Sequence, residues 1–168
     1  MPVRGERTTR VFTTVFTRQF CASHQVPYLP GELAQLHGHT WRVSLTVAGP
    51  SLDAHGLLVD EAAFAASMGG FISTRLDHST MVGAGDPFTP ILDAHGKKLF
   101  VFGSDYDGAA WPTSQALALM LAHHGHGWLA AASDRKDVLL ASVTVHTTED
   151  VTATWHNPTL LPALTFTR

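Results

Sequence analysis

The sequence predicts an α+β fold whose strands pair antiparallel, and three observations lead there. Two bulky-polar alternating stretches, Val11 to His24 and His39 to Ala48, follow one another near the start. Two helical patterns occupy the middle, and "VLLASVTVHTTEDVTATWH" supplies two more strands with a turn near Thr148–Asp150. Strands that follow directly on one another favour antiparallel pairing, and runs of strands apart from runs of helices favour the α+β class.

Each element has its own signal. "VFTTVFTRQFCASH" is rich in β-formers and alternates, as a half-buried strand does. "PYLPGELAQ" is a loop by its prolines and glycine. In the second strand Trp41, Val43, Leu45 and Val47 face one way and Arg42, Ser44 and Thr46 the other, until Gly49-Pro50 ends it. Asp60 is an N-cap for a helix from Glu61 to about Arg75, with Phe64, Met68, Phe71 and Ile72 on one face. Gly69-Gly70 weakens that helix, at about 1 kcal/mol per glycine relative to alanine. Residues 79–112 read as irregular, with "KKLFVFGS" a candidate short strand. A second helix is expected from Thr113 to about Leu129, with Leu117, Met120, Leu121 and His124 on its apolar stripe.

Composition narrows the function. At 168 residues with 45% hydrophobic and 15% charged residues, the chain reads as one globular domain. A net charge of −3 argues against nucleic acid or an anionic membrane as partner. The most apolar run, "ALALMLAHHGHGWLAAA", is too short and too rich in histidine to span a bilayer. The single cysteine, Cys21, excludes an intrachain disulfide and, with no signal peptide apparent, a cytoplasmic protein is expected.

The eleven histidines carry the chemistry. His37 and His39 flank a glycine at the entrance to a strand, where residues two apart share a face at a separation of about 7 Å. Both can point at one ion. Catalytic zinc sites use three protein ligands and an open fourth position, and His24 at the end of the preceding strand is the third candidate. A second His-Gly-His, His124 to His126, falls at a predicted helix end, where residues two apart diverge by about 200°. It reads as structural, with its histidines set against the C-terminal dipole. Asp77 and His78 close the first helix and form a relay if the backbone turns both side chains into one cleft.

Taken in order, "FCASH", "LHGHTWRV", "GLLVDEAAF", "RLDHS", "WPTSQALALML" and "LASVTVHTTEDVTATWH" resemble the 6-pyruvoyl-tetrahydropterin synthase and 6-carboxy-tetrahydropterin synthase family. The resemblance covers roughly residues 10–80 and 111–156 and leaves 82–110 as an unusually long loop excursion in one domain spanning 1–168. It implies the tunnelling fold: a four-stranded antiparallel sheet with two helices on one face, in the order ββααββ. In that fold subunits join edge to edge into a barrel of trimers or hexamers. It implies Zn2+ on His24, His37 and His39, binding the side-chain hydroxyls of a pterin, with Asp77 and His78 in proton transfer. Thr113, Thr147, Thr148 and Glu149 fall where substrate contacts are expected.

The sequence departs from the family pattern in two places. The family cysteine belongs in the loop before His-Gly-His, but the loop here contains none, and Leu33 stands at that position. Cys21 does not replace it, because it faces away from His24 on the first strand and reads as a small buried hydrophobe. Thr147 stands where the family has its pterin-gripping glutamate, with Glu149 two residues on, and Gln115 replaces a frequent glutamate at the helix start. Some relatives use a glutamate in place of the cysteine; Glu32, one residue further upstream, is the candidate for that role. The expected function is zinc-dependent lyase-type chemistry on a pterin-like or related polyhydroxylated heterocycle, with the standard synthase activity weak or lost. The alternative is a non-catalytic, zinc-stabilised oligomer that binds a ligand or partner protein.

Overall fold

A computed structural model describes residues 11–148 and 151–160. Strand β1 (Phe12–His24) and strand β2 (His37–Gly49) form a long antiparallel hairpin, in register from Phe12↔Gly49 to His24↔His37. Between them the loop folds back, Val26 N–H donating to Leu33 O at 2.9 Å, and a short 3-10 turn runs over Gly31–Ala34. Helix α1 (Glu61–Phe71) follows, with Asp60 Oδ1 accepting from Ala63 N at 2.9 Å as the expected N-cap. Gly69-Gly70 does not end it, and the chain continues through a π-type turn over Ile72–Leu76. The apolar stripe accounts for this: Phe64, Met68, Ile72 and Leu76 are all buried, and burying such side chains contributes about 1.5–3 kcal/mol each.

The region expected to be irregular is ordered. It holds strand β3 (Thr80–Gly83), short helix α2 (Thr89–Ala94) and strand β4 (Leu99–Phe102), the last inside "KKLFVFGS". Helix α3 (Ser114–Ala132) is capped by Thr113 Oγ1 accepting from Ala116 N at 3.1 Å. Strands β5 (Leu139–His146) and β6 (Thr152–His156) complete the chain. The sheet therefore has six strands, in the order β4-β3-β1-β2-β5-β6, and not the expected four. The two added strands pair parallel, β3 to β1 and β4 to β3. Phe100 and Phe102, buried in the common core, explain why the candidate strand inside the excursion forms.

The sheet buries one face beneath the helices. Trp41, Val43, Leu45 and Val47 are fully buried, as the alternation of β2 requires. Gly125 lies where α3 crosses the sheet; a Cβ there would stand 3.1 Å from Leu140 Cδ2, so the second His-Gly-His is a close helix–sheet contact. This stretch lies within α3, which runs on to Ala132, so the C-terminal dipole argument does not apply to it. Its histidines serve three separate contacts. His123 Nδ1 lies 3.0 Å from Tyr106 Oη, the His124 ring stacks on Phe71 at 4.2 Å between centroids, and His126 meets Trp155 edge-on. No described helix is long and apolar enough to cross a membrane.

Candidate metal centre

The β1–β2 register builds the centre. His24 and His37 are cross-strand partners, and His39 lies two residues on, opposite Ala22 and on the same face. One ligand atom from each lies within 4.8 Å of the other two, so the three histidines could hold a metal, and the described cluster has three members. Trp41, fully buried and donating its indole N–H to Ala22 O at 3.0 Å, forms the floor.

Hydrogen bonding fixes which ring nitrogens face inward. His24 Nδ1 lies 2.7 Å from Pro112 O, and His37 Nδ1 lies 2.7 Å from Gln35 O. Since a carbonyl only accepts, each Nδ1 carries a proton, and in the neutral ring each Nε2 then presents a lone pair. The two Nε2 atoms stand 3.1 Å apart. Two lone pairs at that distance repel unless a cation lies between them, and ligands at 2.0–2.1 Å on a tetrahedral ion sit about 3.3 Å apart. The donor set fits a metal, with backbone carbonyls orienting the ligands from behind. Burial holds His24 down to about pKa 4, assisted by the His37 and His39 rings and against the pull of the Pro112 carbonyl. Burial and His37 likewise lower His39. Neutral imidazoles are what a metal requires.

A hollow of about 320 Å³ opens beside His24 and His39. Val26, Leu29, Leu33 and Val151 form its apolar wall, and Thr113, Ser114, Gln115, Thr147 and Thr148 supply neutral hydrogen-bonding groups. Three of the expected substrate contacts, Thr113, Thr147 and Thr148, thus lie beside the triad, with Leu33 among them. Glu149 lies outside the described residues. Thr147 and Thr148 also border a second, polar hollow of about 450 Å³ on the helix-free side of the sheet, with Gln19, Thr40, Arg42 and His146. Sequence reasoning did not single out Arg42. The outward-facing parity of β2 was the available signal.

Asp77 and His78 are joined as a pair, His78 Nδ1 lying 3.1 Å from Asp77 Oδ1. His78 is the one described non-glycine residue with a left-handed backbone (φ 57°), which turns its ring out beside the carboxylate. Its N–H donates to Cys21 O at 2.6 Å, and Cys21 N–H donates to Asp77 Oδ1 at 3.0 Å. That amide bond, with lesser help from His78 and Lys98, holds Asp77 below the ordinary carboxylate range. The pair lies across β1 from the triad, and His78 lines an open hollow of about 480 Å³ that His39, Cys21 and Thr40 also line. Cys21 is exposed there; the expectation of a buried cysteine fails because β1 turns it to the uncovered face. Glu32 is exposed on the 3-10 turn and lines none of these three hollows.

An open-ended α+β sheet carrying a three-histidine pocket at one end defines the class of protein. Within it, the sequence profile of the 6-pyruvoyl tetrahydropterin synthase family matches residues 13–158, and the chain belongs to that family. Solved structures agree on the fold. An uncharacterized protein of Wolinella succinogenes superposes with a TM-score of 0.69 at 18% identity, over 88% of this chain and 99% of that one. The 6-pyruvoyl tetrahydropterin synthase of Caenorhabditis elegans gives 0.60 at 16%, over 89% and 97%. That of Plasmodium vivax, in a form with a catalytic glutamate replaced by alanine, gives 0.63 at 15%, over 88% and 98%. No individually curated protein matches in sequence.

Proposed function

We propose that this chain is a zinc-dependent, diverged member of its family. On this reading it performs lyase-type chemistry on a pterin-like or related polyhydroxylated heterocycle, and standard synthase activity is weak or lost. One observation carries the reading: two of the three clustered histidines, His24 and His39, line a ring-sized hollow that contains Leu33 where a proton-moving group would be needed.

His24 Nε2, His37 Nε2 and a nitrogen of His39 would hold the ion, which supplies Lewis acidity to side-chain hydroxyls and the C–H bonds beside them. The apolar wall excludes water from the ring face, and Gln115 and Thr147 offer neutral donors and acceptors to its edge. His78 lines a separate hollow across β1, which His39 also borders. A substrate extending past His39 would meet His78 Nε2 there, free to take a proton from substrate carbon and return it to the leaving oxygen while Asp77 engages Nδ1. The Asp77 carboxylate, held ionised by the Cys21 amide, stabilises the imidazolium formed in between. Glu32 is a lesser candidate for a proton-transfer role, reached by a movement of its loop. The polar hollow around Arg42 suits a hydroxylated or anionic tail.

Self-association to trimers or hexamers follows from the same reading, with β4 and β6 as the free sheet edges; size measurement in solution tests it, and a monomer would count against the barrel. The function itself is tested by thermal-shift titration with pterins and deazapurines, together with turnover assays on dihydroneopterin triphosphate. Ring-dependent stabilisation that disappears in His39→Ala, with little turnover of the triphosphate, is expected. Turnover at rates typical of the family would refute it.

A second reading is a non-catalytic binding protein. It is favoured by the absence of any thiol or carboxylate from the described lining of the triad's hollow. Ring binding without turnover of any ring compound would select it.

A further inference from the structure

The chain between β3 and α3 carries α2 and β4, and its two ends meet behind His24. β3 pairs directly with the end of β1, Ser23↔Thr80 and His24↔Met81. At Gly83 the departing chain touches the returning one so closely that a Cβ would stand 2.6 Å from the Trp111 ring and 2.7 Å from Ala110 O. The next residue after Trp111 is Pro112, whose carbonyl accepts the hydrogen bond from His24 Nδ1–H.

Beside this base lies a polar pair the catalytic reading does not use. Asp86 and Gln25 are each only 2% exposed, and Gln25 Nε2 donates to both carboxylate oxygens, at 2.8 and 2.7 Å. Asp86 Oδ1 also accepts from Phe88 N–H at 2.9 Å. Burying a carboxylate against a neutral amide is costly unless its hydrogen bonds are well made. Its location gives it a use. His24 is the last residue of β1, so the β1–β2 ladder holds it by one terminal rung, and Gln25 is where the next rung would be.

We propose that the excursion from Ala84 to Pro112 is a positioning frame for the metal ligand His24. In it Asp86 acts through Gln25 to fix the strand end, and Pro112 fixes the ring. This rests on the reading of the triad as a metal site. Asp86 is a positioning residue: it touches neither the site nor a ligand in it. Partners that orient ligands from behind a metal are worth about 10–100-fold in metal affinity.

The test is zinc affinity by chelator competition, with melting temperature read with and without zinc, on the full chain. Asp86→Ala is expected to weaken zinc, by less than the about 10–100-fold of a direct ligand partner, and to shrink the stabilisation that zinc confers. The isosteric exchange Gln25→Glu with Asp86→Asn keeps an amide–carboxylate pair and is expected to restore both. If Asp86→Ala does not fold, Asp86→Asn alone carries the same expectation with a smaller loss. A purely structural role would lower the melting temperature equally with and without zinc and leave affinity unchanged, and that result would overturn the proposal. If the unaltered protein binds no zinc, the metal reading fails by itself, and the frame is judged on the metal-free protein. There, a His24 Nδ1–H resonance as persistent in Asp86→Ala as in the parent would overturn it.

Discussion

His24 and His37 present their Nε2 atoms to each other across 3.1 Å while each Nδ1 is turned to a backbone carbonyl. The arrangement commits both rings to one tautomer before any ligand arrives. Nitrogen-detected spectra of the metal-free protein should show protonated Nδ1 and bare Nε2 for both residues, with zinc moving only the Nε2 signals. Protonation at Nε2 of either ring would remove the preorganisation described above.

Leu33 borders the hollow beside His24 and His39 and can move no proton. Leu33→Cys places a thiol in that wall, and a thiol near a metal is acidified. The variant should gain measurable turnover of dihydroneopterin triphosphate over the parent. An unchanged rate with zinc retained would show that the loop does not aim residue 33 at the reacting atoms.

His78 separates stability from chemistry. Its backbone is left-handed, a conformation costing a non-glycine residue about 1–2 kcal/mol. Its side chain is 80% exposed, so its bond to Asp77 adds little stability. His78→Gly should leave denaturant stability unchanged or raise it by up to about 1 kcal/mol, while abolishing any turnover. A clear loss of stability would mean that the ring has a structural role.

His124 gives a prediction in pH. Its Nε2 is buried without a hydrogen-bond partner, and burial lowers its pKa below the ordinary 6.5. It stacks on Phe71 and lines a hollow together with Phe100, Met120, Asp105, Tyr106 and His123. A lowered folded pKa means that the unfolded chain binds the proton first. Stability is therefore full above about pH 6.5 and falls as the pH drops below it. His124→Phe keeps the stack on Phe71 and removes the orphan nitrogen, so it should stabilise by about 1 kcal/mol at neutral pH and by more at pH 5. A gain that does not grow with acidity would contradict the shift.

The site was more legible in the sequence than the sheet around it. Alternation in β2 put His37 and His39 on one face, and the hairpin order brought in His24, because both depend on local periodicity. Of the added strands, β4 was legible only as a candidate within "KKLFVFGS" and β3 was hidden. Each is four residues long, and their parallel pairing joins segments far apart in sequence. α3 runs from Ser114 to Ala132, three residues past the expected Leu129, and Gly125 is accommodated within it by its close packing on Leu140 of β5. The exposed Cys21 was misjudged because composition favours burial of cysteine, whereas its parity on β1 decides the matter. The Pro112 and Asp86 contacts to the end of β1 could not be read at all, since they join residues 88 and 61 positions apart.

The central claim is that the triad holds a catalytically placed zinc, and metal analysis of the purified protein tests it most directly. One zinc per chain is predicted, falling to none in both His37→Ala and His39→Ala while the chains remain folded. Stoichiometry unchanged by either replacement would contradict the account.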